Sequence, residues 1–289
     1  MISVADARLV RGLQERAARA LPAEHVERLG GWWLRLAPDC SWWVGTVLPH
    51  GETGPQRSEG LEAGVKEAED FYARHGLDTR FQITPRACPD GLDAFLAKRG
   101  YHRGGRVSLQ AATVARVLER SGEQVPAAPV LGRAREQALV ARVLERTRDR
   151  APAEPLRVRV DERPADGWLE GLRAVHGHDG ERELLARVEA PSAYASVIAG
   201  TEVVAVGRAV ADDGWAGVFG MATLPQARGR GASRRVLAAL AAWARTRGVD
   251  RMYLQVECGN DAAVRLYARA GFEEVCGYHY RTAKAPASR

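Results

Sequence analysis

Hydrophobic positions recur with two different periods along the second half of the chain. Residues 215–224 form a short apolar run without charge, which is typical of a buried strand. From Ala232 onward the apolar positions recur at helical spacing, a strand-like segment follows at 252–256, and a second helical run covers 262–270. This half is therefore predicted to be an α/β structure in which strand, helix, strand and helix follow one another.

The first half shows a related pattern. Apolar residues within 5–21 share one helical stripe, and 31–36 and 41–47 are strand-like with turn residues between them. They predict an amphipathic helix followed by an antiparallel hairpin, and a further helix is predicted from Leu61 to Gly76. The hairpin contains four tryptophans, Trp32, Trp33, Trp42 and Trp43. Because side chains alternate along a strand, half of them should point away from the core, toward solvent or a partner domain.

The spacing of glycines indicates that the two halves repeat one fold. Gly76 and Gly100 are 24 residues apart, and Gly248 and Gly271 are 23 residues apart. Each pair encloses a strand-like and then a helical segment. Near-equal spacing in the same element order predicts two copies in tandem.

A strand at 107–117 is expected to end the first copy. The segment that follows alternates a loop rich in glycine and proline with a charged helix at 134–148, which is typical of a helical linker. The predicted organisation is a first domain, a linker and a second domain, over residues 1–120, 121–152 and 153–289.

A glycine-rich turn precedes the helix that begins at Ala232. Gly229 and Gly231 lack a Cβ, so the backbone can adopt positive φ and a ligand can approach it closely. The free amides and dipole of the helix start would suit a phosphate or pyrophosphate. Four arginines add positive charge: Arg228, Arg230, Arg234 and Arg235. Taken alone, the turn is equally typical of a flexible loop before a surface helix, and it is neither a Walker loop nor a dinucleotide fingerprint.

The downstream sequence favours the functional interpretation. Residues 226–231, Gln-Ala-Arg-Gly-Arg-Gly, resemble the pyrophosphate loop of the GNAT superfamily of acyl-CoA-dependent N-acetyltransferases, and 260–272 resembles its second CoA-contacting motif. The resemblance covers 156–282. It implies two GNAT-like domains in tandem, each a twisted mixed α/β sheet flanked by helices, with acetyl-CoA as co-substrate. The CoA-binding residues that it implies are Met221, Ala222, Thr223, Gln226, Arg228, Gly229, Arg230, Gly231, Ala232, Ser233, Asn260, Ala263 and Tyr267.

The first copy lacks these features. Ser58 and Glu59 stand where the Arg-Gly turn should be, and a carboxylate there opposes a phosphate. Leu96 occupies the position of Tyr267. We therefore expect a degenerate GNAT-like domain that packs against the active copy and shapes its acceptor pocket.

The resemblance also implies a general acid. Tyr267 matches the family tyrosine that hydrogen-bonds the CoA sulfur and protonates the departing thiolate. The alternative is a tyrosine that packs in the core beside Leu266. Backbone N–H groups near 221–223 would stabilise the oxyanion, by analogy with the family.

The general base is less well defined. The central strand holds no acid, and Gln255 occupies a position where some relatives carry a glutamate. Glu257 projects from the same face two residues later, so it is the candidate base or the anchor of a water relay. The alternative is a solvated acid at the end of a strand. The rival bases are Asp212 and Asp213, which are more typical of a turn, and Glu181 and Glu183, which are more typical of a helix surface. His176 and His178 are expected to be solvated in an acceptor-side loop, and His279 either lines the acceptor tunnel or is a structural histidine.

Composition limits the remaining possibilities. The net charge of +6 and isoelectric point near 9.4 admit nucleic-acid binding, but the basic residues are dispersed among acids, so no nucleic-acid partner is expected. No apolar run approaches the roughly 18 residues of a membrane span, and no signal peptide is recognised. The cysteines form no C-x-x-C pair and the histidines have no ligand spacing, so we expect reduced thiols, no metal and a cytoplasmic location.

The sequence thus predicts an N-acetyltransferase that moves an acetyl group directly from acetyl-CoA to a primary amine of a small molecule or peptide. Only the second site is expected to be active, in a monomer or homodimer without membrane contact. Two alternatives stay open at this point. A catalytically idle CoA-binding or scaffold protein fits the missing base, and an arginine-driven nucleic-acid module would bind with steep salt dependence.

Overall fold

A computed structural model describes residues 6–38, 40–50, 58–121, 155–177 and 181–283, without the side chains of 58, 59 and 181. The predicted linker helix at 134–148 and His178 lie outside the described residues.

The first half of the chain contributes four helices and five strands among the described residues. They are α1 (Ala7–Ala20), β1 (His25–Leu29), β2 (Trp32–Leu36), β3 (Val47–Pro49), α2 (Ser58–Arg74), β4 (Arg80–Ile83), α3 (Leu92–Lys98), β5 (His102–Thr113) and α4 (Val114–Arg120).

The second half contributes six strands, four helices and one short 3₁₀ helix within the same described ranges. They are β6 (Arg157–Asp161), α5 (Asp166–His176), α6 (Glu181–Ala186), β7 (Ser192–Ala199), β8 (Glu202–Asp212), β9 (Trp215–Thr223), the 3₁₀ helix Pro225–Ala227, α7 (Ala232–Thr246), β10 (Arg251–Glu257), α8 (Asp261–Arg269) and β11 (Glu273–Thr282).

These strands form one mixed sheet, in the order β1-β2-β3-β4-β11-β5-β10-β9-β8-β7-β6. The predicted repeat is visible in it, since α2, β4, α3 and β5 occur in the same order as α7, β10, α8 and β11. The last strand of each repeat pairs with the other repeat: β5 pairs with β10, and β11 pairs with β4. These two strands also pair with each other, antiparallel, at the centre of the sheet. The predicted α/β fold is therefore confirmed, with an exchange of terminal strands that was not expected.

Two predicted strands have different bounds in the structure. The strand expected at 107–117 to end the first copy lies inside the exchanged sheet and stops at Thr113, where the Thr113 hydroxyl accepts a hydrogen bond from the Arg116 amide and caps α4. The predicted hairpin pairs as expected, but its second strand begins only at Val47. Residues 41–46 form a loop, so the prediction of a strand at 41–47 is wrong.

A buried arginine explains that loop. The Arg35 guanidinium donates hydrogen bonds to the carbonyl oxygens of Thr46 and Trp43, both at 3.1 Å, and to the Thr46 hydroxyl at 2.6 Å. Loop carbonyls that would otherwise need a neighbouring strand are satisfied by this side chain. The alternation of large apolar residues therefore does not produce a strand here.

Helices cover both faces of the second half of the sheet. Helix α7 packs on one face, where Gly207 lets β8 approach it closely, since a Cβ there would lie 2.6 Å from Val236. Helix α1, from the first half, packs on the other face, with Leu13 and Ala17 in one apolar cluster with Tyr253 and Tyr278. The two halves thus share a core as well as a sheet.

The exchange predicts that neither half folds alone. Expression of residues 153–289 without 1–152 would leave β10 without β5, exposing a long unpaired edge. We expect insoluble or unfolded fragments by circular dichroism, and recovery of a soluble 1:1 complex when both are co-expressed. A monomeric, cooperatively unfolding 153–289 fragment would contradict the strand exchange and favour independent domains.

Candidate functional site

The site begins where two parallel strands separate. Strands β9 and β10 pair from Trp215–Arg251 to Val218–Leu254, and their pairing ends there although both strands continue. A register shift against β8 follows in β9, where Gly220 has a φ of +58°. The strands therefore open into a gap whose walls are backbone and side chains of both.

A cavity of about 500 Å³ fills this gap and extends toward the first half of the chain. Five residues of the predicted catalytic and CoA-binding set line it: Met221, Glu257, Asn260, Ala263 and Tyr267. The other lining residues come from helices α5 and α6, from strands β5, β8, β9, β10 and β11, from Leu21 at the end of α1, and from the loop at 40–44. The expectation that the first half shapes this pocket thus agrees with the geometry.

Tyr267 lies on α8 with its ring against Phe272, at 6.0 Å between ring centroids. Its side chain is buried, and burial raises the pKa of Tyr267 to about 12. Among the described residues its hydroxyl has no hydrogen-bond partner. At neutral pH the phenol is protonated, so it can donate a proton to a group in the cavity.

Asn260 has a defined local role. Its side-chain oxygen accepts a hydrogen bond from the Ala263 amide at 3.1 Å and so caps α8. The cap fixes the start of the helix whose last turn carries Tyr267. Asn260 also lines the cavity, so the residue that caps α8 borders the same cavity as Tyr267.

The glycine-rich turn adopts the backbone that its sequence predicts. Gly229 and Gly231 have φ of +74° and +79°, and a Cβ at either would meet no atom within 4 Å, so the glycines are needed here for conformation rather than for space within the protein. Helix α7 begins at Ala232, and its N-cap, Gly231, has no side chain to satisfy the first amides. The turn therefore presents unsatisfied donors outward.

Positive charge surrounds these amides. Arg228, Arg230 and Arg234 are exposed, and their guanidinium groups form no hydrogen bond or ion pair within the described ranges. Arg235 instead donates to the Leu156 carbonyl at 3.2 Å. A diphosphate fits this donor set, because it needs N–H donors and cations in one place.

Other residues of the predicted CoA site have partners within the protein. The hydroxyls of Thr223 and Ser233 are 2.8 Å apart and join the end of β9 to α7. The Gln226 amide donates to Glu202 at 3.1 Å. These bonds hold the turn in place, and any contact of these side chains with CoA stays a prediction.

The candidate acids differ in whether they line the cavity. Glu257 is exposed at the edge of the cavity. Asp212 and Asp213, at the β8–β9 turn, instead pair with α1 through Arg19 at 2.8 Å and Arg16 at 2.5 Å. Neither aspartate lines the cavity, and neither does Glu183.

Of the two described histidines among the candidates, one lines the cavity and the other does not. His176, at the end of α5, lines the cavity. His279 is outside it, with Nε2 2.8 Å from an Asp93 oxygen, and burial lowers its pKa although Asp93 opposes that shift. His279 is thus a structural residue on the opposite face of β11.

Sequence reasoning missed much of the cavity wall. Tyr278 and Tyr280 flank His279 and line the cavity, together with Trp168, Arg208 and Phe219. Alternation along a strand already puts both tyrosines on one face, but it does not say which face borders the site. The described part of the chain contains no cluster of three potential metal ligands and no helix long and apolar enough to cross a membrane.

Known proteins match this chain at two levels: a family model matches part of the second half, and a relative matches nearly the whole chain. A sequence model of the Acetyltransferase (GNAT) family matches residues 158–272. An uncharacterized N-acetyltransferase of Bacillus subtilis, YobR, is 26% identical over 282 residues, covering 94% of this chain and 98% of its own length.

Solved structures confirm the fold over nearly the full length. A GCN5-related N-acetyltransferase from Kribbella flavida superposes with a TM-score of 0.66 at 16% identity, covering 97% of this chain and 96% of that one. A tandem GNAT protein from the clavulanic acid biosynthesis pathway gives a TM-score of 0.60 at 15% identity, covering 98% and 89%. The predicted tandem arrangement therefore has counterparts among known structures.

The glycine turn offers a matched pair of substitutions. Gly231→Ala puts a Cβ on the ligand side of a left-handed residue, so we expect about 1 kcal/mol lower stability and at least about tenfold weaker acetyl-CoA binding. Gly248→Ala is the control, because Gly248 has a φ of +71° and equally open surroundings, but lies at the other end of α7. Calorimetry should show equal loss of stability in both and weaker binding only in Gly231→Ala. Equal affinities would remove the turn from the binding site.

Proposed function

We propose that this chain, whose residues 158–272 form a domain of the GNAT acetyltransferase family, transfers an acetyl group from acetyl-CoA to a primary amine. The observation that carries the proposal is the gap between β9 and β10, whose cavity is lined by Tyr267 and Glu257 and whose strand β9 is followed by the glycine-rich turn. The acceptor is a small molecule or a peptide. The transfer is direct, without an acylated protein group.

The turn before α7 would hold the diphosphate of acetyl-CoA. Its outward amides, at the positive end of a 15-residue helix, and the exposed Arg228, Arg230 and Arg234 support this role. From there the gap between the strands leads to Tyr267. Backbone N–H groups of β9 near 221–223 would hold the carbonyl oxygen as negative charge develops on it.

Tyr267 would act as general acid. A phenol that is protonated at neutral pH and has no hydrogen-bond partner within the described residues is suited to donate its proton to the departing thiolate. Burial raises the pKa of Tyr267 and keeps the phenol protonated at neutral pH. Its position on the cavity wall favours an acid over a tyrosine that only fills the core.

Glu257 would receive the proton that the amine must lose. An alkyl amine has a pKa near ~10 and is mostly protonated at neutral pH, so transfer requires a base or a water that leads to one. Glu257 lines the cavity from the same face of β10 as Gln255. Its exposure favours a relay that passes the proton to solvent.

A catalytically idle CoA-binding or scaffold protein is the second candidate, since β9 carries no carboxylate. It is disfavoured because a proton donor and a carboxylate both line the cavity. It predicts acetyl-CoA binding without thiol release from any amine. A cytoplasmic location and a monomeric or homodimeric state stay predictions.

Two measurements test the proposal together. Calorimetry should detect acetyl-CoA binding, and a panel of primary amines should release free CoA thiol in a continuous assay. Absence of binding at high micromolar acetyl-CoA would contradict the assignment, and binding without turnover of any amine would favour the idle protein.

Tyr267→Phe tests the acid role. Loss of the hydroxyl should lower kcat by about 100-fold while acetyl-CoA affinity changes little, because the ring and its packing stay. Tyr253→Phe is the matched control: it also removes a buried phenolic hydroxyl, on β10, but Tyr253 does not line the cavity. Equal kcat for Tyr267→Phe and the wild type would remove the acid role.

A further inference from the structure

We propose that the acceptor is a small-molecule amine whose amino group is joined to an aromatic or other extended apolar body. This inference rests on the proposed N-acetyltransferase function and names its substrate class. The apolar body would bind against an aromatic wall of the same cavity. We define the wall as Trp42, Trp43, Tyr278 and Tyr280, all of which line the cavity.

The four side chains form one continuous surface. Trp42 meets Tyr280 edge to face at 4.8 Å between ring centroids and Trp43 at 6.0 Å, and Tyr278 meets Tyr280 at 5.6 Å. Tyr278 and Tyr280 are almost fully buried, so Trp42 supplies most of the surface that a further aromatic or apolar group could contact. Burial raises the pKa of both tyrosines, so the wall is uncharged at neutral pH.

The wall exposes apolar surface that a ligand would cover. Trp42 is 43% exposed and Val175, which also lines the cavity, is 36% exposed. Only one other large hydrophobic residue of the described ranges, Val26, is comparably exposed. Exposed apolar surface concentrated at one cavity is typical of a binding site for an apolar group.

Charge places the amino group beside Glu257, which is in register with Tyr278 of the wall, through Val107 on the strand between them. Glu257 is the one carboxylate among the described residues that line the cavity, whereas Arg208 brings positive charge. The Arg208 guanidinium is held in the wall of the cavity, donating to the Ala20 carbonyl at 2.8 Å and lying 5.2 Å from the ring centre of Phe219. An ammonium is favoured next to Glu257 and disfavoured next to the arginine.

The dimensions favour a small molecule over a polypeptide. A volume of about 500 Å³ is within the range of small-molecule sites and must also admit the acetyl end of acetyl-CoA. Residues of α5 and α6 line it as well as the loop at 40–44, so the cavity is walled by both halves. A peptide backbone would need a longer open groove.

The wall is held rigid from behind. Arg35 fixes the backbone of Trp43 and Thr46, and the Tyr72 hydroxyl donates to the Arg35 carbonyl at 2.8 Å. A preorganised wall loses little entropy when a ligand binds. In this way the first half, which lacks its own phosphate turn, would determine acceptor choice for the second.

Amines with similar pKa but different bodies test the inference. With saturating acetyl-CoA, kcat/KM from thiol release should be at least about tenfold higher for 2-phenylethylamine and tryptamine than for ethanolamine, putrescine or a lysine-containing peptide. Comparable or higher values for the polar amines or the peptide would overturn this inference and leave the proposed function standing. Thiol release with none of the amines would overturn both.

Trp42→Ala localises the effect. Because Trp42 is partly exposed, the variant should fold, raise KM for 2-phenylethylamine by about tenfold and leave the acetyl-CoA dissociation constant unchanged. Trp33→Ala is the matched control, since Trp33 packs under Arg28 and is outside the cavity. An unchanged KM in Trp42→Ala, or an equal rise in Trp33→Ala, would contradict binding at the aromatic wall.

Discussion

The antiparallel ladder between β5 and β11 is the interaction on which the rest of the structure depends. It runs from Glu273–Ala111 to Thr282–His102, and it joins the two repeats into one sheet. Side chains support it at one end, where Glu274 pairs with Arg106 and accepts a hydrogen bond from Ser108 at 2.6 Å. Because each of these strands also pairs with a strand of the other repeat, the ladder lies at the centre of one continuous sheet.

The same ladder positions the cavity. It places β11 with Tyr278 and Tyr280 next to the loop that carries Trp42 and Trp43, and so assembles a wall from distant parts of the sequence. Helix α1 crosses from the first half and is tied to the β8–β9 turn by two ion pairs. The first repeat, whose sequence has Ser58 and Glu59 where the Arg-Gly turn is expected, has a structural reason to be present, because the cavity would lack one side without it.

Local patterns made one part of this structure predictable from the sequence. Glycines at Gly229 and Gly231 and the helical spacing after them determine a turn and a helix start within a few residues, and the position of Tyr267 follows from the helix that Asn260 caps. These features depend on neighbours in the chain, so periodicity and turn chemistry suffice. The element order of the repeat followed for the same reason.

Non-local pairing made the other part unpredictable. The alternating pattern of β5 suits β4 or β10 equally as a partner, so the exchange of strands leaves no signal in one sequence. The loop at 41–46 has the composition of a strand, and only the buried Arg35 guanidinium, which lies next to it in the fold, makes it a loop. Tyr278 and Tyr280 were overlooked in favour of His279, because alternation does not tell which face of β11 meets the cavity.

A crystal structure with CoA bound tests the central claim most directly. The account predicts the diphosphate on the amides of 229–233 and the sulfur within hydrogen-bonding distance of the Tyr267 hydroxyl, between the separated ends of β9 and β10. Density for CoA elsewhere on the protein, or a sulfur remote from Tyr267, would contradict it.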